Sequence, residues 1–144
     1  MSITNKSNEP LYLPINTTPL YGKYERLWGY IFNITDEAGN KVKFIGNFVD
    51  FKGPYNKVED VNWRIDPGQT LTQKVNLPID YDLNKGGVFK VKYQQEFLIN
   101  PKVTDNGEIV GQSKRANSNV LTLWISSSLA APVSQASRPA LSEA

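Results

Sequence analysis

Short runs of alternating apolar and polar residues, each closed by Gly, Pro, Asn or Asp, follow one another from Ile3 to Ile125. A period of two puts successive side chains on opposite faces of a strand, whereas a helix needs apolar residues three and four apart. No segment of this chain sustains the helical period. Its apolar faces must therefore be buried sheet against sheet. The pattern predicts an all-β chain, an immunoglobulin-like antiparallel β-sandwich of about 7–9 strands over residues 1–125. From Ser126 the sequence turns small, Pro-interrupted and aperiodic, so residues 126–144 read as a flexible Ser/Ala/Pro-rich tail or linker.

Within the first region the turn chemistry sets the expected strands. Ser2–Asn5 is short for a first strand, and the sequence reads as beginning inside a longer protein. Tyr30–Thr35 and Lys41–Ile45 form a predicted hairpin about Asp36–Asn40, with Phe32, Ile34, Val42 and Phe44 on its buried face. Phe48–Phe51 reads as a short strand, Val61–Ile65 as another, and Asp66-Pro67-Gly68-Gln69 as a turn. Thr70–Leu77 is expected to continue as a strand until Pro78 ends it. Val88–Phe97 is the longest candidate, with Phe89, Val91 and Tyr93 facing the core. Asn100–Lys114 reads as a hydrophilic excursion, and Asn119–Ile125 closes the fold. Phe32, Phe44, Phe89 and Trp124 are the expected aromatic core.

Composition narrows the chemistry. The chain has no His and no Cys, which removes the usual zinc ligands, thiol nucleophiles and the one side chain that titrates near neutrality. The reading is that it is not an enzyme and needs no cofactor or metal. Asp80 and Asp82 are the tightest acidic pair, expected at a solvated corner and not at a calcium ion. Glu25, Asp50, Glu59 and Glu96 sit among polar neighbours that would not make one of them an acid catalyst. Sixteen basic and fourteen acidic residues are interspersed, without the basic run that nucleic acid calls for. No stretch approaches the ~20 apolar residues of a membrane span, and the N-terminus lacks a signal peptide's apolar region.

What remains for function is aromatic. Tyr12, Tyr21, Tyr24, Trp28 and Tyr30 crowd the second strand and the connection after it, among polar residues. Aromatic planes in such a setting anchor a protein interface or stack on sugars. Tyr55 and Trp63 would extend the patch if they lay beside it.

Three stretches, in this order, resemble a known family. They are Ile3–Leu13 (Thr4-Asn5-Lys6-Ser7 before Pro10) with Thr17-Thr18-Pro19-Leu20, Phe32–Val42 (Asp36-Glu37-Ala38-Gly39), and Ile65–Val91 with Pro67-Gly68, Tyr81-Asp82-Leu83 and Gly87-Val88-Phe89. The arrangement over residues 2–125 is similar to the non-catalytic N-terminal, prodomain-like β-sandwich of deuterolysin-type zinc proteases, the peptidyl-Lys metalloendopeptidase or aspzincin group. The catalytic His-Glu-x-x-His of those enzymes is absent, so no catalytic residue carries over. The resemblance implies a domain of a secreted or periplasmic precursor that binds a zinc protease catalytic domain, assisting its folding or inhibiting it. Its contact surface would include the Tyr12–Tyr30 aromatics and Asn100–Lys114. Two alternatives stand beside it. One is a stand-alone protease inhibitor of the intracellular proteinase inhibitor type, which has a similar Thr-Asn-x-Ser-x-x-Pro layout. The other is a carbohydrate-binding or adhesion module resting on Tyr21, Tyr24, Trp28 and Trp63.

Overall fold

The strand that organises the molecule is the one with the cleanest alternation. In the computed structural model, which describes residues 1–19 and 26–126, it runs from Gly87 to Val103. Phe89, Val91, Tyr93 and Gln95 are buried on one face, while Lys90, Lys92 and Gln94 face out. In chain order the strands are β1 (Ser2–Thr4), β2 (Leu11–Pro14), β3 (Phe32–Thr35), β4 (Asn62–Ile65), β5 (Thr70–Thr72), β6 (Gly87–Val103), β7 (Ile109–Asn117) and β8 (Leu121–Ile125). A single helical turn, α1 (Leu77–Asp80), lies between β5 and β6. All strand pairs are antiparallel, so the regular structure is almost wholly β.

β6 is long enough to serve two sets of neighbours. Its first half pairs with β8 on one edge and β3 on the other, through Val91↔Leu121 and Val91↔Ile34. Its second half pairs with β7, Gln94↔Asn117 to Val103↔Ile109, and with β2 through Leu98 and Ile99. β4 lies outside β2. A bulge interrupts the β6–β7 register between Ile99 and Lys102, where Asn100 has a φ of 50°. Asn tolerates this left-handed region better than most residues. β1 and β5 form a separate two-stranded ribbon.

The core lies beneath the β3–β6–β8 face. Leu27, Phe32, Ile34, Val42, Tyr81, Leu83, Phe89, Val91 and Tyr93 form one buried cluster. Met1, Ile3, Val75 and Leu77, from the β1–β5 side, pack against it. Each fully buried side chain of this size contributes about 1.5–3 kcal/mol. Tyr81 is held by its polar end as well. Its hydroxyl donates to the Phe32 carbonyl at 2.9 Å and accepts the Phe32 N–H at 2.8 Å, completing the backbone bonding at the start of β3. Burial pushes the Tyr81 phenol well above its ordinary range.

Several segments depart from the local pattern. Trp124 is not core: it is 73% exposed. It pairs with Val88 while its neighbour Leu123 pairs with buried Phe89, so alternation sends the indole to the outer face. Asn100–Lys114 is not an excursion but the end of β6, a turn and much of β7. Tyr30 and Ile31 precede β3, and the return of the hairpin is reduced to the bridge Thr35↔Lys41 and the bond from the Val42 N–H to the Ile34 carbonyl. Phe48–Phe51 forms no strand; its Val49 is bonded to Trp28 and Asn16 instead of to a ladder. β5 stops at Thr72, and the helical turn α1 follows where Pro78 sits near its start. Asp80 is not solvated: it is wholly buried, whereas Asp82 is exposed.

Candidate functional site

Buried Asp80 explains how the site is held. Its carboxylate accepts from Arg26 Nε at 2.9 Å and from the Leu27 N–H at 2.8 Å, with Arg26 Nη2 also at 2.8 Å. These bonds tie residues 26–27 to α1. Gly46 is required beside it, because a Cβ there would collide with Asp80 and Phe44. The carboxylate is thus a structural anchor with its bonding directed inward.

The next residues build a groove. The Trp28 carbonyl accepts the Val49 N–H at 3.0 Å, and Asn16 Nδ2 donates to the Val49 carbonyl at 3.0 Å. Those two bonds fasten residues 28–31, the 48–50 segment and the 3-10 turn Ile15–Thr17 around a shallow depression of about 350 Å³. Trp28, Tyr30 and Phe48 supply its aromatic surface. Phe48 is 71% exposed, although its ring rests on Phe44 at 5.0 Å. Tyr30 leans on Tyr81 at 5.4 Å, under the Lys41 ammonium, 4.1 Å from the ring centre. Burial raises the Tyr30 phenol above its ordinary value.

Charges reach the same groove from distant strands. Glu96 on β6 lies directly across from Arg115 on β7, with Nε and Oε2 3.6 Å apart. Both are more than half exposed, so the pair orients charge at the rim and adds little stability. Asp50 is the other carboxylate lining the groove. Neither Asp50 nor Glu96 has the dry apolar surroundings that a general acid needs. Glu59 lies elsewhere, in the 3-10 turn Val58–Asp60.

Of the five aromatic candidates, the groove contains Trp28 and Tyr30. Tyr21 and Tyr24, with Glu25, lie outside the described residues. Tyr12 does not line the groove. It stands across from Arg64 on β4, whose guanidinium donates to the Tyr12 hydroxyl at 3.1 Å. Arg64 also donates to Asp66 at 2.8 Å, and that bond is the main cause of its raised pKa. Trp63 pairs with buried Leu13 and does not line the groove, so it does not extend the patch. Tyr55 is tied to the β6–β7 turn through its N–H and the Gly107 carbonyl at 2.8 Å. Sequence reading missed Phe48, Asn16 and Arg115. Phe48 looks locally like a strand core residue, and Arg115 reaches the groove only through its pairing with Glu96.

Among the described residues, no three Asp or Glu side chains gather where a metal could be held. No helix there is long and apolar enough to cross a membrane. The arrangement can grip a ligand by aromatic contact, with amide and charged groups at its margin. In comparisons with known proteins, the chain matches no protein-family model and no curated protein.

Proposed function

We propose that this chain is a non-catalytic binding domain, an immunoglobulin-like sandwich of the prodomain type that precedes deuterolysin-type zinc protease domains, acting within a secreted or periplasmic precursor. The groove at Trp28, Tyr30 and Phe48 receives a segment of the catalytic domain, either to assist its folding or to cover it. The observation that carries the reading is Phe48, a large aromatic left 71% exposed beside two others. Exposed aromatics clustered at a groove are typical anchors of protein interfaces. The motifs behind the resemblance support the scaffold. Asn5 and Ser7 lock the first turn, and Gly39 and Gly68 take positive φ in their turns.

The test is calorimetric titration of the chain into a purified deuterolysin-type catalytic domain, with residual proteolysis measured in parallel. Saturable binding, weakened about tenfold by Phe48→Ala, is the expected result. A flat response at high micromolar concentration would refute the reading.

A further inference from the structure

A second surface lies at the edge strand β8, on the strand pair that Trp124 marks. Among the described residues β8 pairs with β6 alone, so its other edge carries unpaired backbone donors and acceptors. Natural sheets blunt such edges with charge, proline or a covering element. β8 reads Leu-Thr-Leu-Trp-Ile, with neither charge nor proline. Leu121, Leu123 and Ile125 share the inner face with Val91 and Phe89, yet Leu121 is 53% exposed. A core-facing leucine stays half in water here because no described strand closes the sheet beside it. Next to it runs an apolar groove of about 380 Å³, between Met1, Val75 and Leu77 on one wall and Val91, Leu121 and Leu123 on the other.

The outer face has a different character. Lys90 lies across from Thr122, and Lys92 follows on the same face of β6, one residue past the last β8 pair, Val91↔Leu121. No carboxylate of the described residues lies within ion-pair distance of either lysine. An added strand would lie about 4.8 Å beyond β8 and about 9.6 Å from β6, a span that an extended lysine and a glutamate side chain bridge together above the small Thr122.

We infer that β8 is a docking edge for an extended segment of a partner protein, apolar at alternate positions facing the groove and acidic at those facing Lys90 and Lys92. Backbone hydrogen bonds supply affinity, and the two faces of the added strand supply specificity. A second copy fits poorly, because its β8 carries no acid to meet the lysines. The residues after Ser126 contain a single acid, Glu143, and no alternation of apolar with acidic residues. This site is separate from the groove at Phe48 and stands without it.

Fluorescence anisotropy with a labelled peptide alternating Val and Glu tests the inference on the full chain. A control peptide has the same composition, with Val and Glu in separate blocks. The alternating peptide is expected to bind at least about tenfold more tightly than the control. Leu121→Lys, at an exposed position, should remove that preference without moving the thermal midpoint. Lys90→Glu with Lys92→Glu should transfer it to a Val/Lys peptide. Equal binding of both peptides, or none, would overturn the inference. So would a concentration-dependent dimer by sedimentation that Leu121→Lys abolishes, since the edge would then belong to a second copy.

Discussion

Asn5 shows how much one side chain can carry. It is 1% exposed, and its amide is fully used. Nδ2 donates to the Glu9 and Ile65 carbonyls, each at 2.8 Å, while Oδ1 accepts from the Ser7 N–H at 2.9 Å and the Ser7 hydroxyl at 2.7 Å. It thereby ties the first turn to the end of β4. The Thr-Asn-x-Ser motif was legible as part of the family resemblance, but its partner Ile65 lies far along the chain and no local rule could name it. Asn5→Ala should cost about 2–3 kcal/mol, read as a lower midpoint in urea, because the buried Ile65 carbonyl loses its donor. Asn5→Asp should fare no better, since a carboxylate would face two carbonyl oxygens. Trp124 is the opposite case at this scale. Its apolar neighbours suggested burial, and a one-residue phase within the strand put it outside.

At the scale of elements, the β6–β7 arm was the least legible part. Residues 109–117 lie on or near the surface, so neither face has an apolar row from which a period of two could be read. Pairing with β6, not local sequence, makes β7 a strand. The arm's turn is clearer: Gly107 has a φ of 78°, and its N–H bonds the Thr104 carbonyl at 2.9 Å. A Cβ on Gly107 would strike Pro54, so the turn docks there only because the residue is glycine. Gly107→Ala should cost about 1–3 kcal/mol. Its sharper signature is faster hydrogen exchange at the Tyr55 amide, whose acceptor is the Gly107 carbonyl. Exchange unchanged at Tyr55 would mean that the arm is held by its strand pairing alone. The Phe48–Phe51 segment makes the complementary point. It has strand composition, but the bonds from Trp28 and Asn16 leave it as the wall of a groove.

For the whole molecule, the absence of His and Cys and the burial of phenols together set the response to pH. With no His and no Cys to titrate, stability should be nearly constant between about pH 6 and 9. Tyr81 and Tyr93 are both raised well above the ordinary phenol value, chiefly by burial, and Tyr30 is raised as well. A phenol that resists ionisation in the folded state favours the unfolded state once pH passes about 10. Stability present below that point should therefore fall as pH rises, and Tyr93→Phe should lessen the fall. Urea unfolding across this range checks the slope; a stability that rises above pH 10 would contradict the burial. The sequence by itself determined the β class, the inner face of β6 and the turns at Gly39 and Gly68. Those depend on local periodicity and on backbone conformations that few residues adopt. Only the tertiary structure decided that Tyr81 is sealed while Trp124 is open, and that Trp28, Tyr30 and Phe48 meet Glu96 and Arg115. Alternation fixes which residues share a face, but the order of strands in space decides which face is covered.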